Sequence, residues 1–176
     1  MRSPRIHIAF LVALSFALAM SLCSEQLPRI TGETLSGRQV SLPSVSAGSA
    51  AIVCIGFSHA SQSQLKSWAD RTSEAFGQNG RVHVYLVAVL EDARLVRGMA
   101  VHGMRSRVPA QQQDHFVVVY EGERELKRIA GFRRSEDAYI LLLDPRGEIQ
   151  WVNHGPASDA ALQELTDHVH SIQRSE

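Results

Sequence analysis

Two cysteines, eight histidines and one short polar turn carry whatever side-chain chemistry this 176-residue chain can perform. Cys54 sits in the middle of an uncharged apolar run, and Cys23 follows an apolar N-terminal stretch. No Cys-x-x-Cys pair exists, and no disulfide framework can be built from these two. A thiol buried among apolar groups has a raised pKa and is inert, so Cys54 reads as a small core residue, with a lone redox thiol as the alternative. His59, His83, His102, His115 and His154 fall on different elements with no pairing of the H-E-x-x-H kind. His168 and His170 are two apart on an expected helix, which turns them away from one another. Exposed or locally bonded histidines are therefore expected, with no metal and no cofactor. Ser58, His59 and Asp70 have the residue types of a nucleophilic triad, yet nothing resembling a nucleophile elbow surrounds Ser58. Gly56 stands alone, so a glycine-rich phosphate loop is absent as well.

The elements that must position the polar turn are legible around it. Ala51 to Phe57 is apolar, rich in β-branched residues and uncharged, as a central strand buried on both faces would be. The turn is Ser58-His59-Ala60-Ser61-Gln62-Ser63-Gln64. Ser61 followed by Gln64 fits a capping box, and Leu65, Trp68, Ala69, Thr72 and Phe76 then recur at helical spacing until Gly77. The spacing places Trp68 in the core.

Composition bounds the rest. Eighteen basic and eighteen acidic residues balance, and 44% of the chain is hydrophobic, which fits one globular domain with a sizeable core. The neutral balance argues against a nucleic-acid partner. Residues 1–23 have the character of a secretory signal: Arg2 and Arg5 precede an uncharged run from Ile8 to Met20, and Ala19 with Ser21 supplies the small residues a signal peptidase requires. The alternatives are an uncleaved N-terminal anchor and a lipidated Cys23. The domain is then expected to span 24–176, in the periplasm or outside the cell, or tethered to a membrane by its N-terminal segment.

Along the domain, Thr34, Leu35, Arg38, Val40 and Leu42 alternate around Gly37 as a short hairpin, and Ser44 to Ser49 reads as a loop. Asn79-Gly80 marks a turn before a second buried strand, Val82 to Leu90, which completes a right-handed βαβ unit with parallel strands. Asp92 caps an expected helix whose packed face is Leu95, Val96, Met99, Ala100 and Gly103, with Arg94, Arg97, Arg105 and Arg107 elsewhere. Val108-Pro109 closes it. His115 to Tyr120 is a third apolar run, and Arg124 to Phe132 fits either a helix or a strand. Ala138 to Leu143 and Glu148 to Val152 form a hairpin through the type I turn Asp144-Pro145-Arg146-Gly147. Ser158 caps a final helix with Leu162, Leu165, Val169 and Ile172 on one face.

This order of elements is that of the thioredoxin-like three-layer α/β sandwich with a mixed central sheet. The turn Gly56-Phe57-Ser58-His59 and the later Tyr139-Ile140-Leu141-Leu142-Leu143-Asp144-Pro145-Arg146-Gly147 resemble the Sco copper-chaperone family. The resemblance places the family's two cysteines at Ala60 and about Gln64 and its histidine at about Glu136, so every metal ligand is missing. The same segments, with Ser67-Trp68 and the stretch through Trp151 to Gly155-Pro156-Ala157, resemble the mitochondrial ATP synthase assembly factor family and bacterial periplasmic thioredoxin-like proteins without a CxxC motif. That likeness runs from about Leu27 to Leu165. It implies a non-catalytic, chaperone-like factor that helps a membrane-complex subunit join its assembly. In thioredoxin-like folds the start of the first long helix carries the reactive chemistry, because a helix N-terminus lowers a thiol pKa. Without a cysteine there, the expectation is a redox-inactive binding surface of Ser58, His59, Ala60, Ser61 and Gln62 that holds an extended peptide. The alternatives are a thiol oxidoreductase or peroxidase using Cys54 and a Sco-like metal carrier with other ligands.

Overall fold

The computed structural model describes residues 26–77, 80–91 and 97–175. The expected signal or anchor, Cys23, Asn79 and the Asp92, Arg94, Leu95 and Val96 part of the second helix lie outside the described residues.

The apolar run after the N-terminal hairpin is the centre of the molecule. The strands are β1 (Thr31–Thr34), β2 (Gln39–Ser41), β3 (Ala50–Gly56), β4 (Val82–Val89), β5 (Phe116–Val119), β6 (Ala138–Leu143) and β7 (Ile149–His154). They form one mixed sheet in the order β2-β1-β5-β4-β3-β6-β7. β3 pairs in parallel with β4 and antiparallel with β6, and β5 runs parallel to β4 while pairing antiparallel with β1. The third apolar run thus joins the N-terminal hairpin to the main sheet.

Side chains of β3 alternate between two cores, which is why every residue of it is buried. Ala51, Val53 and Ile55 face one core with Leu42, Val45, Leu126 and Tyr139. Ala50, Ile52 and Cys54 face the other, with Trp68, Phe76, Leu165 and Val169. The second core is roofed by α1 (Gln62–Phe76) and α4 (Asp159–Arg174). The first is covered by α3 (Glu123–Ile129) and a 3-10 turn at Leu42–Ser46, in the segment expected to be loop. The result is the three-layer arrangement that the order of elements implied.

The ambiguous segment after β5 resolves as helix. Gly122 enters it at φ +90°, a conformation that favours glycine. Glu123 and Glu125 lie in its first turn and Lys127 and Arg128 in its last, which complements the helix dipole. In α4, the Ser158 Oγ accepts the Ala161 N–H at 3.2 Å, as the sequence pattern predicts.

Two expectations are corrected. The capping box does not form. The chain is already helical before Ser61, in a 3-10 turn at His59–Ser61, so the capping hydroxyl is that of Ser58, which accepts the Ala60 N–H at 3.1 Å. Ser61 instead donates its hydroxyl to the Ser58 carbonyl at 2.9 Å. The second correction concerns α2 (Arg97–Arg105), whose described residues include none that is fully buried: of the expected packed face, Ala100 and Gly103 are half-buried and Met99 turns outward. Met99 is 76% exposed. The helix is held at its ends instead: the Arg97 guanidinium lies 3.5 Å above the Tyr120 ring, and Arg105 Nε donates to the Leu35 carbonyl at 2.6 Å.

Candidate functional site

The start of α1 is fixed from below by close packing. A Cβ on Gly56 would stand 2.3 Å from Leu65 Cδ1 and 2.8 Å from Ser61 Oγ, so only glycine lets β3 end directly against the helix. That approach turns Ser61 inward, fully buried, and leaves His59, Ala60 and Gln62 exposed, with Ser58 half-buried. Of the five residues expected to form the surface, Ser61 therefore supports it from beneath. Ser63 is exposed in the next turn.

A second segment, which sequence reasoning did not connect to the turn, completes the site. Ser58 Oγ donates to the Ser135 carbonyl at 2.6 Å, and Gln64 Oε1 accepts the Ala138 N–H at 3.0 Å. These bonds lay the loop before β6 alongside the helix start. The loop exposes Arg133, Arg134, Ser135 and Glu136. Beneath it, the buried Tyr139 hydroxyl accepts the Arg133 and Arg134 N–H groups at 2.8 and 2.9 Å and donates to the Arg134 carbonyl at 2.9 Å. Phe57, Phe132 and Tyr139 stack against one another with ring centroids 5.3–5.5 Å apart. Lys127 Nζ stands 4.6 Å from the Phe132 centroid.

One carboxylate is buried here. Asp137 accepts from Arg134 at 2.9 and 3.2 Å and lies 3.2 Å from His154 Nδ1, with its own side chain shielded from solvent. Burial alone would push this carboxyl upward, but the hydrogen bonds and charge of Arg134, with His154, outweigh it and hold the group below the usual aspartate value. The same pairing raises Arg134 further. The site is thus a shallow polar platform with a basic and aromatic margin, set on a pinned loop. The only sequence sign of the Tyr139 and Asp137 anchoring was the abrupt switch from charged to apolar residues at the start of β6.

The remaining chemical candidates separate. Cys54 is fully buried in β3, and burial pushes its thiol up to about 12. Ser58 is engaged with the loop while Asp70 is paired with Lys66 on the outer face of α1, so no triad forms. Ala60 has no donor atom and the Gln64 carbonyl is taken by the Ala138 N–H, so the positions aligned with Sco metal ligands do not fit a soft metal ion. Among the described residues, no group of three or more His, Cys, Asp or Glu side chains could hold a metal. The fold does bring two of the dispersed histidines together: His83 on β4 and His115 before β5 have ring centroids 6.2 Å apart, with Tyr85 5.2 Å from His115. Burial first, and His83 second, lower the His115 pKa. His168 rests against Trp151, and His102 and His170 are exposed. A cleft between the β6–β7 turn and the end of α4, lined by Asp144, Arg146, Gln150 and His168, lies away from this platform.

Comparison with known proteins places this geometry. The ATP10 protein family profile matches residues 21–172. The chain belongs to that family. It is accordingly an assembly-type factor built on a thioredoxin fold. Among solved structures, BsSco, a member of the Sco family of cytochrome c oxidase assembly proteins, superposes with a TM-score of 0.57 at 12% identity, covering 86% of this chain and 96% of that one. The thioredoxin domain of thiol-disulfide oxidoreductase BVU-2223 from Bacteroides vulgatus gives 0.52 at 22% identity, covering 83% and 96%. The exposed lipoprotein thioredoxin Etrx1 from Streptococcus pneumoniae gives 0.53 at 19%, covering 80% and 99%. At such identities these likenesses show the fold alone. No curated protein matches the sequence at a significant level.

Proposed function

We propose that this protein is a redox-inactive assembly factor of chaperone-like character, which holds an extended segment of a membrane-complex subunit across the start of α1. His59, Ala60 and Gln62, with the loop from Arg133 to Glu136, form the contact surface. Its place of work is the periplasm or another extracytoplasmic space, reached by a signal in residues 1–23 or on a tether formed by them. The observation that carries this reading is the chemistry of the helix start. The position where a thioredoxin-like protein would present a thiolate holds Ala60 on a solvent-facing turn, and the one thiol among the described residues, Cys54, is sealed in the sheet. An exposed platform without a nucleophile can recognise a chain but cannot exchange disulfides with it. Family membership supports the protein partner, and the fold supports the placement of the surface.

The redox half of the proposal is tested on the full chain carrying Cys23→Ser. Insulin-disulfide reduction is expected to stay at the uncatalysed rate, and Cys54→Ser is expected to leave it there. Cys54 should react with an aromatic disulfide reagent only after unfolding in denaturant. Turnover by the Cys23→Ser chain that disappears on adding Cys54→Ser would assign the protein to thiol chemistry instead.

A further inference from the structure

Where the β1–β2 hairpin meets β4 and β5, side chains from three separate parts of the chain converge. β4 supplies His83 and Tyr85, the 3-10 turn Ala110–His115 supplies Asp114 and His115, and the hairpin supplies Ser36 and Arg38. The two imidazoles are half-buried, with centroids 6.2 Å apart and planes tilted by 30°. The Tyr85 ring lies 5.2 Å from His115 and 6.5 Å from His83. Asp114 fastens the hairpin turn: it accepts from the Ser36 hydroxyl and pairs with Arg38 Nε at 3.2 Å. Beside it, the Leu35 N–H donates to the Phe116 carbonyl at 2.9 Å, where the β1–β5 ladder begins.

We infer that this junction is an acid-operated latch, in which proton uptake by His83 and His115 loosens the β1–β2 hairpin from β5. While both rings are neutral, Arg38 and Asp114 cancel. With both rings protonated, three cations face one carboxylate, and the two imidazolium groups repel each other at a half-buried site. No other element packed there relieves this: β3 opposes His83 and Tyr85 with the uncharged Ala51 and Val53, and Arg81, just ahead of β4, is itself positive. Burial holds the Tyr85 hydroxyl above its ordinary range, so it stays uncharged, while the Ser36 hydrogen bond first and Arg38 after it keep Asp114 ionised. The remaining escape is to move His115 and its turn away from β4, which pulls on the contacts that fasten the hairpin. Release uncovers the edge of β5 that β1 otherwise covers.

The sign follows from the geometry. Burial and then His83 lower the His115 pKa in the fold, so the stabilisation by the neutral ring is complete above the ordinary value of about 6.5. It is lost as the pH falls through the lower, folded value. The test is amide hydrogen exchange by NMR on the full chain with Cys23→Ser, expressed as protection factors from pH 7.5 to pH 5. Protection across Gly32 to Leu35 and Gln39 to Ser41 should start to fall below about pH 6.5 and drop about tenfold in all, as repulsion between unit charges about 6 Å apart at a half-buried site implies. These amides should open at a lower free energy than those of β3 and β6 throughout. The double change His83→Gln, His115→Gln should remove the pH dependence, and His59→Gln should leave it intact. No fall, a fall that survives the double change, or hairpin amides that open only together with β3 and β6 would overturn the inference. So would a His115 ring that titrates at its ordinary pH in the otherwise unaltered fold, a result that needs no variant.

Discussion

Replacing Trp68 with alanine is expected to lower the unfolding free energy by about 3–5 kcal/mol, the largest effect of any single change discussed for this protein. Trp68 is fully buried at the centre of α1, packed between the sheet and α4. Its indole N–H donates to the Gly155 carbonyl at 2.9 Å, and its ring meets Trp151 edge-on at 6.4 Å. The residue therefore joins the helix bearing the candidate platform to the segment that leads into α4. Trp68→Phe keeps most of the apolar area and removes the hydrogen bond, so about 1–3 kcal/mol is expected, because the Gly155 carbonyl is left without that donor. Urea unfolding followed by far-ultraviolet circular dichroism measures both, with an unchanged slope confirming that stability alone moved. A cost for Trp68→Ala below 1 kcal/mol would mean that α1 is not held in this way.

The second large effect is at Asp137. Asp137→Ala is expected to cost about 2–3 kcal/mol at neutral pH, because hydrogen bonds to a charged acceptor are among the stronger ones. Its pH dependence identifies the cause. Asp137 has a folded pKa below its unfolded value of about 3.9, so its contribution is fully present above that value. It is lost as the pH falls through the lower, folded pKa. The stability difference between the wild type and Asp137→Ala should be constant from neutral pH down to about pH 5 and should shrink below about pH 4. A difference independent of pH in that acid range would mean that packing, rather than the carboxylate, holds the loop. Since the same carboxylate positions the loop from Arg133 to Glu136, the variant should also impair partner binding at neutral pH while it remains folded.

The two faces of β3, the parallel βαβ unit, the terminal hairpin and the Ser158 cap follow from periodicity and turn chemistry, which act over a few residues. What escaped was set by contacts distant in the chain. The Ser61–Gln64 pattern is a sound local capping signal, but Gly56 brings β3 so close that Ser61 is turned inward and Ser58 caps in its place. The α2 pattern suggested an apolar face at Met99, yet arginine contacts to Tyr120 and Leu35, far apart in sequence, decide which side of that helix meets the protein. Half of the candidate site was legible as the polar turn at Ser58 to Gln62. The loop from Arg133 to Glu136 was not, because the bonds that bring it there, Ser58 to Ser135 and Gln64 to Ala138, span more than seventy residues. The missing ligands at Ala60 and Gln64 could be read directly. The pairing of His83 with His115 required knowing that β4 and β5 are neighbours.

The central claim, binding through the α1 start without thiol chemistry, is tested most directly by photo-crosslinking in the native cell from a probe replacing His59. Mass spectrometry identifies the adduct, with a probe at Arg174 as the control position. The account predicts one recurrent subunit of a membrane complex, captured from position 59 and not from 174, resistant to reductant and lost on Ala60→Arg. No adduct from position 59, equal capture from both positions, or an adduct released by reductant would contradict it.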